Sequence, residues 1–389
     1  MMLQPKSRLT SLEKSTQMRT RRVVSSRKKQ AYTIDNKILT NFAGNDYLGL
    51  AQDDRIKQAM IDGINEFGFG SASSPMITGY SSAHQQLEEH FADFSGRERA
   101  LFFNSGYHAN LGVISTFANR NTPIIADKHV HASLIDAITL SRAPHDRYHH
   151  HDHQHAEAIL RKQTDHHALL ITESVFSMTG AITRVDQLSI LAKENNATLI
   201  VDDAHGIGIL GNHGRGATEH FHLNKDDVPL LITPFGKAIA GMGAIVSGNH
   251  DDIEYLLQHA RTYCYSTAMP PAFCRGTQMA LRIIQQEPWR IERLRALIQY
   301  FHGQAAERKI TLIASDMTPI KCILTGGNEL ALALQEKLIS HGLFVAAIRP
   351  PTVPVNAARL RISLSAAHTE TNITLLLDIL ADHHAHANR

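Results

Sequence analysis

The residue with the clearest chemical potential in this chain is a lysine, Lys237, set among small residues. Residues 230–248 read LLITPFGKAIAGMGAIVSG, an apolar run, a turn, the lysine and a second apolar run. A lysine in a close-packed, partly dry pocket loses stabilisation of its charged form, so its pKa falls and its amine becomes a usable nucleophile. Such an amine suits a Schiff base with a carbonyl compound. An exposed lysine beside a Gly-rich turn is the alternative that this segment alone leaves open.

A second candidate group is a carboxylate at the end of an apolar run. Residues 198–206 read TLIVDDAHG, so a predicted strand leads directly into Asp202. Ligands of parallel sheets bind at the carboxyl ends of the strands, which places Asp202 at the mouth of a site. A carboxylate there can keep a pyridine ring nitrogen protonated, so that the ring accepts electrons. A helix cap or a turn is the alternative role for Asp202.

Three further predicted strands end in loops that carry polar groups. Residues 102–110, FFNSGYHAN, read as strand, turn and helix start, where backbone N–H groups can hold a phosphate. Tyr107 in this loop can stack on a flat ring or belong to the core. His131 follows the next predicted strand, and Ser177 follows the one after that. Together the five loops supply what pyridoxal phosphate needs: an imine-forming lysine, an acid for the ring nitrogen, a stacking group and a phosphate site.

A competing motif, GIGILG at residues 206–211, matches the GxGxxG pattern of dinucleotide-binding proteins. That pattern must also open a helix. Here it is followed by NHGRG, in which no helix can start. The sequence therefore disfavours a nicotinamide-dependent oxidoreductase, which is the alternative from a different class of enzyme.

The elements that position these loops alternate between short apolar runs and helical patterns. Such alternation predicts an α/β fold with a largely parallel sheet covered by helices on both faces. The composition changes after Pro270-Pro271, and the remainder predicts a smaller α+β unit. We expect an N-terminal helical arm at 1–46, a large cofactor-binding domain at 47–270 and a C-terminal α+β domain at 271–389. The predicted strands of the large domain are Ala100–Phe103, Ile124–Ala126, Ala168–Thr172, Thr198–Val201, Leu230–Thr233 and Ala244–Ser247.

Composition excludes several other classes of protein. The 389 residues carry a net charge of only +2, which gives no indication of nucleic-acid binding. No apolar run approaches the roughly 20 residues of a membrane span. Three cysteines without a CxxC pair fit a reducing compartment, so we expect a cytoplasmic protein.

Two local segments have an unusual composition. The His-rich segment 145–155 has no framework of carboxylate or thiolate residues at the spacing of metal ligands, and we expect a solvated loop and no metal site. Residues 1–30 contain nine Lys or Arg and one acid, which predicts an anion-binding arm, a transit peptide or a solvated helix.

The chain resembles the α-oxoamine synthases, which are pyridoxal-phosphate enzymes of the aspartate-aminotransferase-like fold type I. These enzymes condense an amino acid with an acyl thioester and release CO₂. The resemblance covers nearly the whole chain. It rests on the segments NDYLGL (45–50), ITGYSSAHQQLE (77–88), FFNSGYHAN (102–110), DKHVHASL (127–134), TESVFSM (172–178), VDDAHGIG (201–208), FGK (235–237), YSTAMPP (265–271) and RISLSAAHT (361–369).

The resemblance implies a large domain with a seven-stranded type of sheet and assigns roles to residues of this chain. Lys237 would form the Schiff base, Asp202 would pair with the ring nitrogen, and His131 would stack on the ring. The other implied cofactor contacts are Ser177 and His205 at the phenolic oxygen, Ser105, Gly106 and Tyr107 at the phosphate end, and Thr267, which would reach the phosphate of the other subunit of a homodimer. The family usually has Thr or Ser three residues before the lysine, whereas this chain has Pro234, and Thr233 is the expected substitute. Thr179 likewise stands where the family tends to have Asp.

The resemblance also implies the substrates. The segment RPPTVP (349–354), with Thr352, resembles the branch of the family that joins L-alanine to a pimeloyl thioester, on CoA or an acyl-carrier protein. Arg361 would bind the amino-acid carboxylate, Asn45 would lie beside the substrate, and Arg19 would lie near the acyl chain. A sister synthase that uses glycine with acetyl-CoA or another acyl-CoA remains an alternative. A non-catalytic partner subunit is disfavoured because both Lys237 and Asp202 are present.

Overall fold

The computed structural model describes residues 5–163 and 167–387, with side chains described as far as residue 382. The outermost residues of the predicted arm and of the predicted C-terminal domain lie outside this part. The chain forms two compact units. The smaller unit comprises Met1–Gly49, Ser177–Ala181 and Glu292–Arg389, and the larger comprises Leu50–Phe176 and Ile182–Ile291.

The strands are numbered in chain order. They are β1 (Val24–Lys28), β2 (Ala31–Ile34), β3 (Lys37–Asn41), β4 (Arg99–Phe103), β5 (Ile124–Asp127), β6 (His145–Tyr148), β7 (Ala168–Glu173), β8 (Ala197–Asp202), β9 (Leu230–Pro234), β10 (Ala244–Gly248), β11 (Ile320–Gly326), β12 (Leu343–Phe344), β13 (Ala346–Ile348) and β14 (Ala358–Ser363).

The α-helices are numbered in the same way, and one turn of π-helix spans Pro75–Gly79. They are α1 (Pro5–Lys14), α2 (Asp54–Phe67), α3 (Ser82–Ser95), α4 (Gly106–Phe117), α5 (Ala132–Ser141), α6 (His153–Leu160), α7 (Val185–Glu194), α8 (Ala217–His220), α9 (His250–His259), α10 (Arg261–Cys264), α11 (Pro271–Gln286), α12 (Trp289–Glu307), α13 (Asn328–Ser340) and α14 (Glu370–Ala387).

The larger unit is built on a seven-stranded sheet in the order β4-β10-β9-β8-β7-β5-β6. Strands β6, β5, β7, β8 and β9 pair in parallel, and β10 runs antiparallel to both β9 and β4. Strands β5, β7, β9 and β10 are buried along their whole length, as expected for a sheet covered on both faces. The predicted fold class is confirmed. The antiparallel direction of β10 was not predicted, because periodicity carries no information about strand direction.

The two faces of this sheet hold separate apolar cores. On one face, Ile200 and Ile232 pack with residues of α4, α5 and α9, such as Val113. On the other face, Val201 and Leu231 pack with residues of α6 and α7. Because successive side chains of a strand point to opposite faces, each strand contributes to both cores. This packing fixes the positions of the carboxyl ends of β5, β7 and β8, where the predicted site residues lie.

The smaller unit contains two sheets. Strands β1, β2, β3 and β12 form a four-stranded sheet in that order, and β14 lies between β11 and β13 in a three-stranded antiparallel sheet. The arm is helical only over α1, and the strands at residues 24–41 were not predicted. The three-domain division stays a prediction. The compact units differ from it in grouping α11 with the larger unit, because α11 packs on α2 and α3.

Two further sequence expectations concern this architecture. No helix in residues 5–163 and 167–387 is long and apolar enough to cross a membrane. The GIGILG segment lies in turns, and the next helix, the four-residue α8, begins only at Ala217. The expectation that no helix follows this motif directly is therefore confirmed.

Candidate active site

Asp202 is a buried carboxyl group at the end of β8, with 5% of its surface exposed. Its Oδ2 atom accepts a 2.8 Å hydrogen bond from Nδ2 of Asn110, and its Oδ1 atom accepts one of 3.0 Å from the backbone N–H of Ala204. Across the described residues, no Lys, Arg or His nitrogen forms a salt bridge with this carboxyl group. A buried carboxylate is costly without a positive partner. A protonated ring nitrogen would supply one.

His131 caps the start of α5 and presents its ring at the same edge of the sheet. Its Nδ1 atom accepts the backbone N–H of Ser133 at 3.3 Å and lies 2.8 Å from the Ser133 hydroxyl. Its own backbone N–H donates to Oε1 of Glu173 at 2.5 Å. Partial burial lowers the pKa of His131, and the positive charge of Lys237 adds to this effect, while Asp202 opposes it. Ser133 therefore holds the imidazole and Glu173 holds the backbone of the same residue, while the lowered pKa favours the neutral ring.

Glu173 is a site residue to which the sequence interpretation gave no role. It ends β7, pairs in register with Asp202 on β8 and is buried. Burial raises its pKa well above the usual value, and the neighbouring Asp202 raises it further, while the His131 N–H and the charge of Lys237 act in the opposite direction. Two adjacent carboxyl groups that share one site disfavour double ionisation, and the raised pKa of Glu173 acts in this direction.

Lys237 lies in the tight connection between β9 and β10. The connection is closed by hydrogen bonds from the Phe235 N–H to Gly243 O (3.0 Å) and from the Gly241 N–H to Phe235 O (2.9 Å). Gly243 has φ +91°, and a Cβ atom there would lie 2.4 Å from the Phe102 ring, so only glycine fits. Lys237 is half-buried, and its charge lowers the pKa of both His131 and Glu173. The amine thus belongs to the same cluster as Asp202.

The start of α4 forms the predicted phosphate end of the site. Ser105 is the N-cap residue, and its Oγ atom accepts the N–H of His108 at 3.1 Å. Helix N-termini bind phosphates through free N–H groups and the helix dipole. A Cβ atom on Gly106 would lie 2.7 Å from Cγ of Pro234, so the proline packs directly against this helix start. A proline ring thus fills the space beside the helix start, where the family resemblance predicts a hydroxyl group.

The structure does not bring Thr233 to this helix start. Side chains alternate along β9: Ile232 faces the core that contains α4, and Leu231 faces the other core. Thr233 therefore points away from α4, and its hydroxyl is buried without a hydrogen-bond partner among the described residues. The physical reason is the two-residue period of a strand, which prevents a neighbour in sequence from substituting for Pro234. Its role as a phosphate ligand stays a prediction, and this geometry speaks against it.

Three other predicted cofactor residues also lie in the larger unit. Tyr107 is partly exposed, and its hydroxyl donates to the carboxylate of Asp136, which raises the pKa of Tyr107. His205 is buried three residues beyond the end of β8. Thr267 is exposed, and its carbonyl accepts a 2.7 Å hydrogen bond from Nδ2 of Asn104, just before the start of α4. Their predicted contacts with a cofactor remain proposals.

Arg361 is the centre of a second cluster, in the smaller unit. It lies on β14 with 5% of its surface exposed, and all its hydrogen bonds go to neutral oxygens. These acceptors are Ser177 O (2.7 Å), Ser363 Oγ (3.1 Å), Asn45 Oδ1 (3.2 Å) and Tyr47 Oη (3.4 Å). Within the described ranges, no carboxylate forms a salt bridge with this guanidinium. A buried cation without an acid is typical of a receptor for an anionic ligand.

A third group joins the N-terminal arm to the RPPTVP segment, also within the smaller unit. Nη2 of Arg19 donates to the Thr352 hydroxyl at 3.1 Å. Arg349 donates to the carbonyl oxygens of Thr16 and, at 3.1 Å, of Met18. Neither guanidinium forms a salt bridge within the part of the chain that the structure describes. Burial lowers the pKa of Arg349, and the nearby positive charge of Arg19 contributes. Arg19 and Arg349 thus form a second site, after Arg361, at which a bound anion would balance the positive charge.

The His-rich segment does bring three possible metal ligands together. Single ligand atoms of His149, Asp152 and His155 lie within 4.8 Å of one another. However, Oδ1 of Asp152 caps α6 by accepting the His155 N–H at 2.9 Å, and Nδ1 of His155 accepts the His149 N–H at 3.1 Å. Two of the three side chains are thus engaged by the helix start itself. The expectation of no metal site stays a prediction.

Each unit therefore gathers one part of the predicted site. The larger unit holds Ser105, Gly106, Tyr107, His131, Asp202, His205, Thr233, Lys237 and Thr267, and the smaller unit holds Arg19, Asn45, Ser177, Thr352 and Arg361. The interpretation of the sequence missed Tyr47, Asn110, Ser133 and Glu173. All four stand inside segments that carried the family resemblance, which is the signal that could have found them.

Comparisons with known proteins agree with this geometry. A family model for aminotransferase class I and II matches residues 37–380. A serine palmitoyltransferase solved with PLP superposes with a TM-score of 0.92 at 26% identity, covering 97% of this chain and 96% of that one. The buried Asp202, the lysine turn and the capped helix start fit this cofactor. The fold and the site together define a pyridoxal-phosphate enzyme of fold type I.

Two further comparisons show to which family of these enzymes the chain belongs. The 8-amino-7-oxononanoate synthase of Methylococcus capsulatus is 43% identical over 383 residues, which cover 98% of each chain. The structure of the 8-amino-7-oxononanoate synthase of Francisella tularensis has a TM-score of 0.81 at 34% identity, covering 90% of this chain and 99% of that one. The chain belongs to the 8-amino-7-oxononanoate synthase family.

Proposed function

We propose that the protein catalyses the decarboxylative condensation of L-alanine with a pimeloyl thioester, carried on CoA or on an acyl-carrier protein. The products are 8-amino-7-oxononanoate, CO₂ and the free thiol carrier, which makes the reaction a step of biotin synthesis. Family membership supports the reaction type. The RPPTVP segment at 349–354 supports the pimeloyl substrate.

The observation that carries the proposal is the environment of Arg361. A buried guanidinium surrounded only by neutral oxygens is unbalanced, and a carboxylate is the anion that its planar N–H fork fits best. Asn45 and Tyr47 lie against the same guanidinium and can orient the rest of a small amino acid. Arg361 therefore binds the carboxylate of alanine.

The groups of the larger unit perform the chemistry at Cα. Bound pyridoxal phosphate supplies the electron sink that stabilises a carbanion at Cα of the amino acid. Asp202 keeps the ring nitrogen protonated, which the sink requires. Lys237 holds the cofactor when no substrate is present and then acts as the general base that removes the Cα proton. The ring of His131 would stack on the bound cofactor, and the N–H groups at Ser105 and Gly106 would hold its phosphate.

The pair Arg19 and Thr352 recognises the far end of the acyl chain. A pimeloyl group carries a terminal carboxylate, and Arg19 has no acidic partner within the described ranges. A charge-assisted hydrogen bond to such a carboxylate contributes about 1.5–3 kcal/mol. Arg19 therefore distinguishes a dicarboxylic acyl chain from a simple fatty acyl chain.

The enzyme acts as a homodimer in the cytoplasm. Large apolar side chains stand exposed around Thr267 in the larger unit: Phe69 (95% exposed), Met242 and Tyr265. Exposed apolar patches of this kind mark interfaces between proteins, and a second copy of the chain would cover them. The three cysteines are free, which suits a reducing compartment.

A panel of substrates tests the proposal. Turnover is measured with acetyl-, heptanoyl-, pimeloyl- and palmitoyl-CoA, each with alanine and with glycine. We expect the highest kcat/KM for alanine with the pimeloyl thioester, and a preference for pimeloyl over heptanoyl of roughly 10–100-fold. The Arg19→Ala variant should lose this preference while heptanoyl turnover changes little. Preferred use of glycine with acetyl-CoA would instead indicate a sister synthase.

A further inference from the structure

We propose that Asn110 is a positioning residue that fixes Asp202 and, through Ser133, holds His131 as the neutral imidazole with its proton on Nε2. This inference deepens the proposed function and rests on it for the role of His131. Its test, however, requires no substrate. Neither Asn110 nor Ser133 received a role from the sequence, and both side chains are 1% exposed.

The orientation of the Asn110 amide follows from its neighbours. Its nitrogen lies 2.8 Å from Oδ2 of Asp202 and 2.8 Å from the hydroxyl oxygen of Ser133. The opposite orientation would place the amide oxygen against a carboxyl oxygen, two acceptors facing each other. The NH₂ group must therefore face Asp202, and its two hydrogens serve Asp202 and Ser133.

The direction of the next hydrogen bond follows from the first. Because the Ser133 oxygen accepts from Asn110, its single O–H hydrogen is free to donate to Nδ1 of His131, 2.8 Å away. The backbone N–H of Ser133 also donates to this Nδ1 atom, at 3.3 Å. Two donors directed at one nitrogen require that it carry a lone pair. The remaining ring proton is therefore on Nε2.

Charging the ring would break this arrangement. A proton on Nδ1 would face the N–H and O–H of Ser133, so α5 would lose its cap. The charged groups around the ring are Asp202 and Asp136, which favour the imidazolium, and Lys237, which opposes it. Glu173 accepts the backbone N–H of His131. The chain from Asn110 thus keeps a neutral, flat stacking group with an N–H donor at Nε2, next to a carboxyl group set for the ring nitrogen.

The experiment is histidine ¹⁵N NMR on the holoenzyme without substrates, with the His131 signals assigned by their loss in His131→Asn. We expect one protonated and one unprotonated ring nitrogen at neutral pH, with the proton on Nε2. An imidazolium, or a proton on Nδ1, would overturn the inference. Turnover plays no part in this measurement, so failure of the proposed reaction would leave its result interpretable.

A matched pair of variants tests the hydrogen-bond chain itself. Ser133→Thr keeps the hydroxyl group. Ser133→Val introduces a side chain of the same shape as threonine but without the hydroxyl group. The His131 pKa should rise by roughly half a pH unit to one unit in the valine variant relative to the threonine variant, because the neutral ring loses a donor. Equal His131 pKa values in the two variants would refute the role of Ser133.

The Asn110→Leu variant tests the link to Asp202. It should weaken pyridoxal-phosphate binding about tenfold, and unchanged affinity would refute the link.

Discussion

Lys321 offers the most quantitative prediction, because a lysine with no exposed surface is rare. It lies on β11, and its Nζ atom donates to the carbonyl of Asp316 at 2.6 Å. Burial lowers the pKa of Lys321 from 10.5 to about 7. Burial, followed by the positive charge of Lys321, lowers the pKa of the neighbouring His302 to about 4. Among the residues that the structure describes, the Asp316 carbonyl is the one hydrogen-bond acceptor recorded for this buried amine.

The replacement Lys321→Met removes the buried ammonium group and the stability that it costs. At about 1.4 kcal/mol per pH unit, a pKa that falls from 10.5 to about 7 corresponds to roughly 5 kcal/mol of lost stability. The loss is complete below pH 7, where both folded and unfolded chains are charged. It disappears as the pH rises to 10.5, because the unfolded chain then also releases its proton. Leaving the Asp316 carbonyl without a donor costs about 1–3 kcal/mol, so the variant should gain about 2–4 kcal/mol at pH 6.

Urea unfolding of the wild type and of Lys321→Met, at pH 6 and at pH 10, measures this gain. We expect a higher unfolding midpoint for the variant at pH 6. At pH 10 the buried-charge penalty is nearly gone and the unpaired carbonyl still costs stability, so the midpoint of the variant should be equal to or below that of the wild type. Lys309→Met, which replaces an exposed lysine of the same unit, is the control and should show no such pH dependence. A variant that is no more stable than the wild type at pH 6, or a gain that is equal at both pH values, would refute the reasoning.

Three further variants follow from the site and the fold. Arg361→Lys should lower kcat/KM for alanine by roughly 30–100-fold, since the planar fork is lost, while steady-state kinetics show an unchanged KM for the thioester. Asp202→Asn should lower kcat about 100-fold or more, and the visible absorption of the bound cofactor should shift because the ring nitrogen loses its proton. Gly216→Ala should prevent stable folding, measured by thermal unfolding, because φ is +86° and the new Cβ atom would lie 1.8 Å from Oδ2 of Asp203.

Each of these variants has an outcome that contradicts it. If the KM values of Arg361→Lys rose in parallel for alanine and for the thioester, the substitution would have disrupted the whole cluster. Specific binding of the alanine carboxylate by Arg361 would then be contradicted. An unaltered cofactor spectrum in Asp202→Asn would remove Asp202 from the ring nitrogen. Gly96→Ala is the control for the glycine, since Gly96 has φ +66° and open space around it. Equal loss of stability in both glycine variants would show that contact with Asp203 is not the cause.

The fold could be predicted from the sequence because its signals are local. Buried parallel strands are continuous apolar runs, and each of the six predicted strands overlaps a strand of the seven-stranded sheet. The missing seventh, β6, reads HDRY and is an edge strand with three exposed residues, so it lacks an apolar run. Of the arm strands, β1 is exposed along its whole length, and neither β2 nor β3 has two buried residues in a row, so they give no such signal.

The candidate site was only partly predictable, for a different reason. Lys237, Asp202 and His131 follow strands directly, and the rule that parallel strands end at one edge brings them together. Asn110 and Ser133 lie inside or at the start of helices, where a buried polar side chain has no distinctive spacing. Their roles arise from contacts across 23 and 92 positions in the chain, which no local pattern contains.

The most direct test of the central claim is the fate of labelled alanine. Uniformly ¹³C-labelled L-alanine is incubated with pimeloyl-CoA, and the product and the released gas are analysed by mass spectrometry. The proposed function predicts 8-amino-7-oxononanoate that keeps two labelled carbons, with the third released as ¹³CO₂, and no product from Lys237→Ala. A product that retains all three labels, or equal turnover by the Lys237→Ala variant, would contradict it.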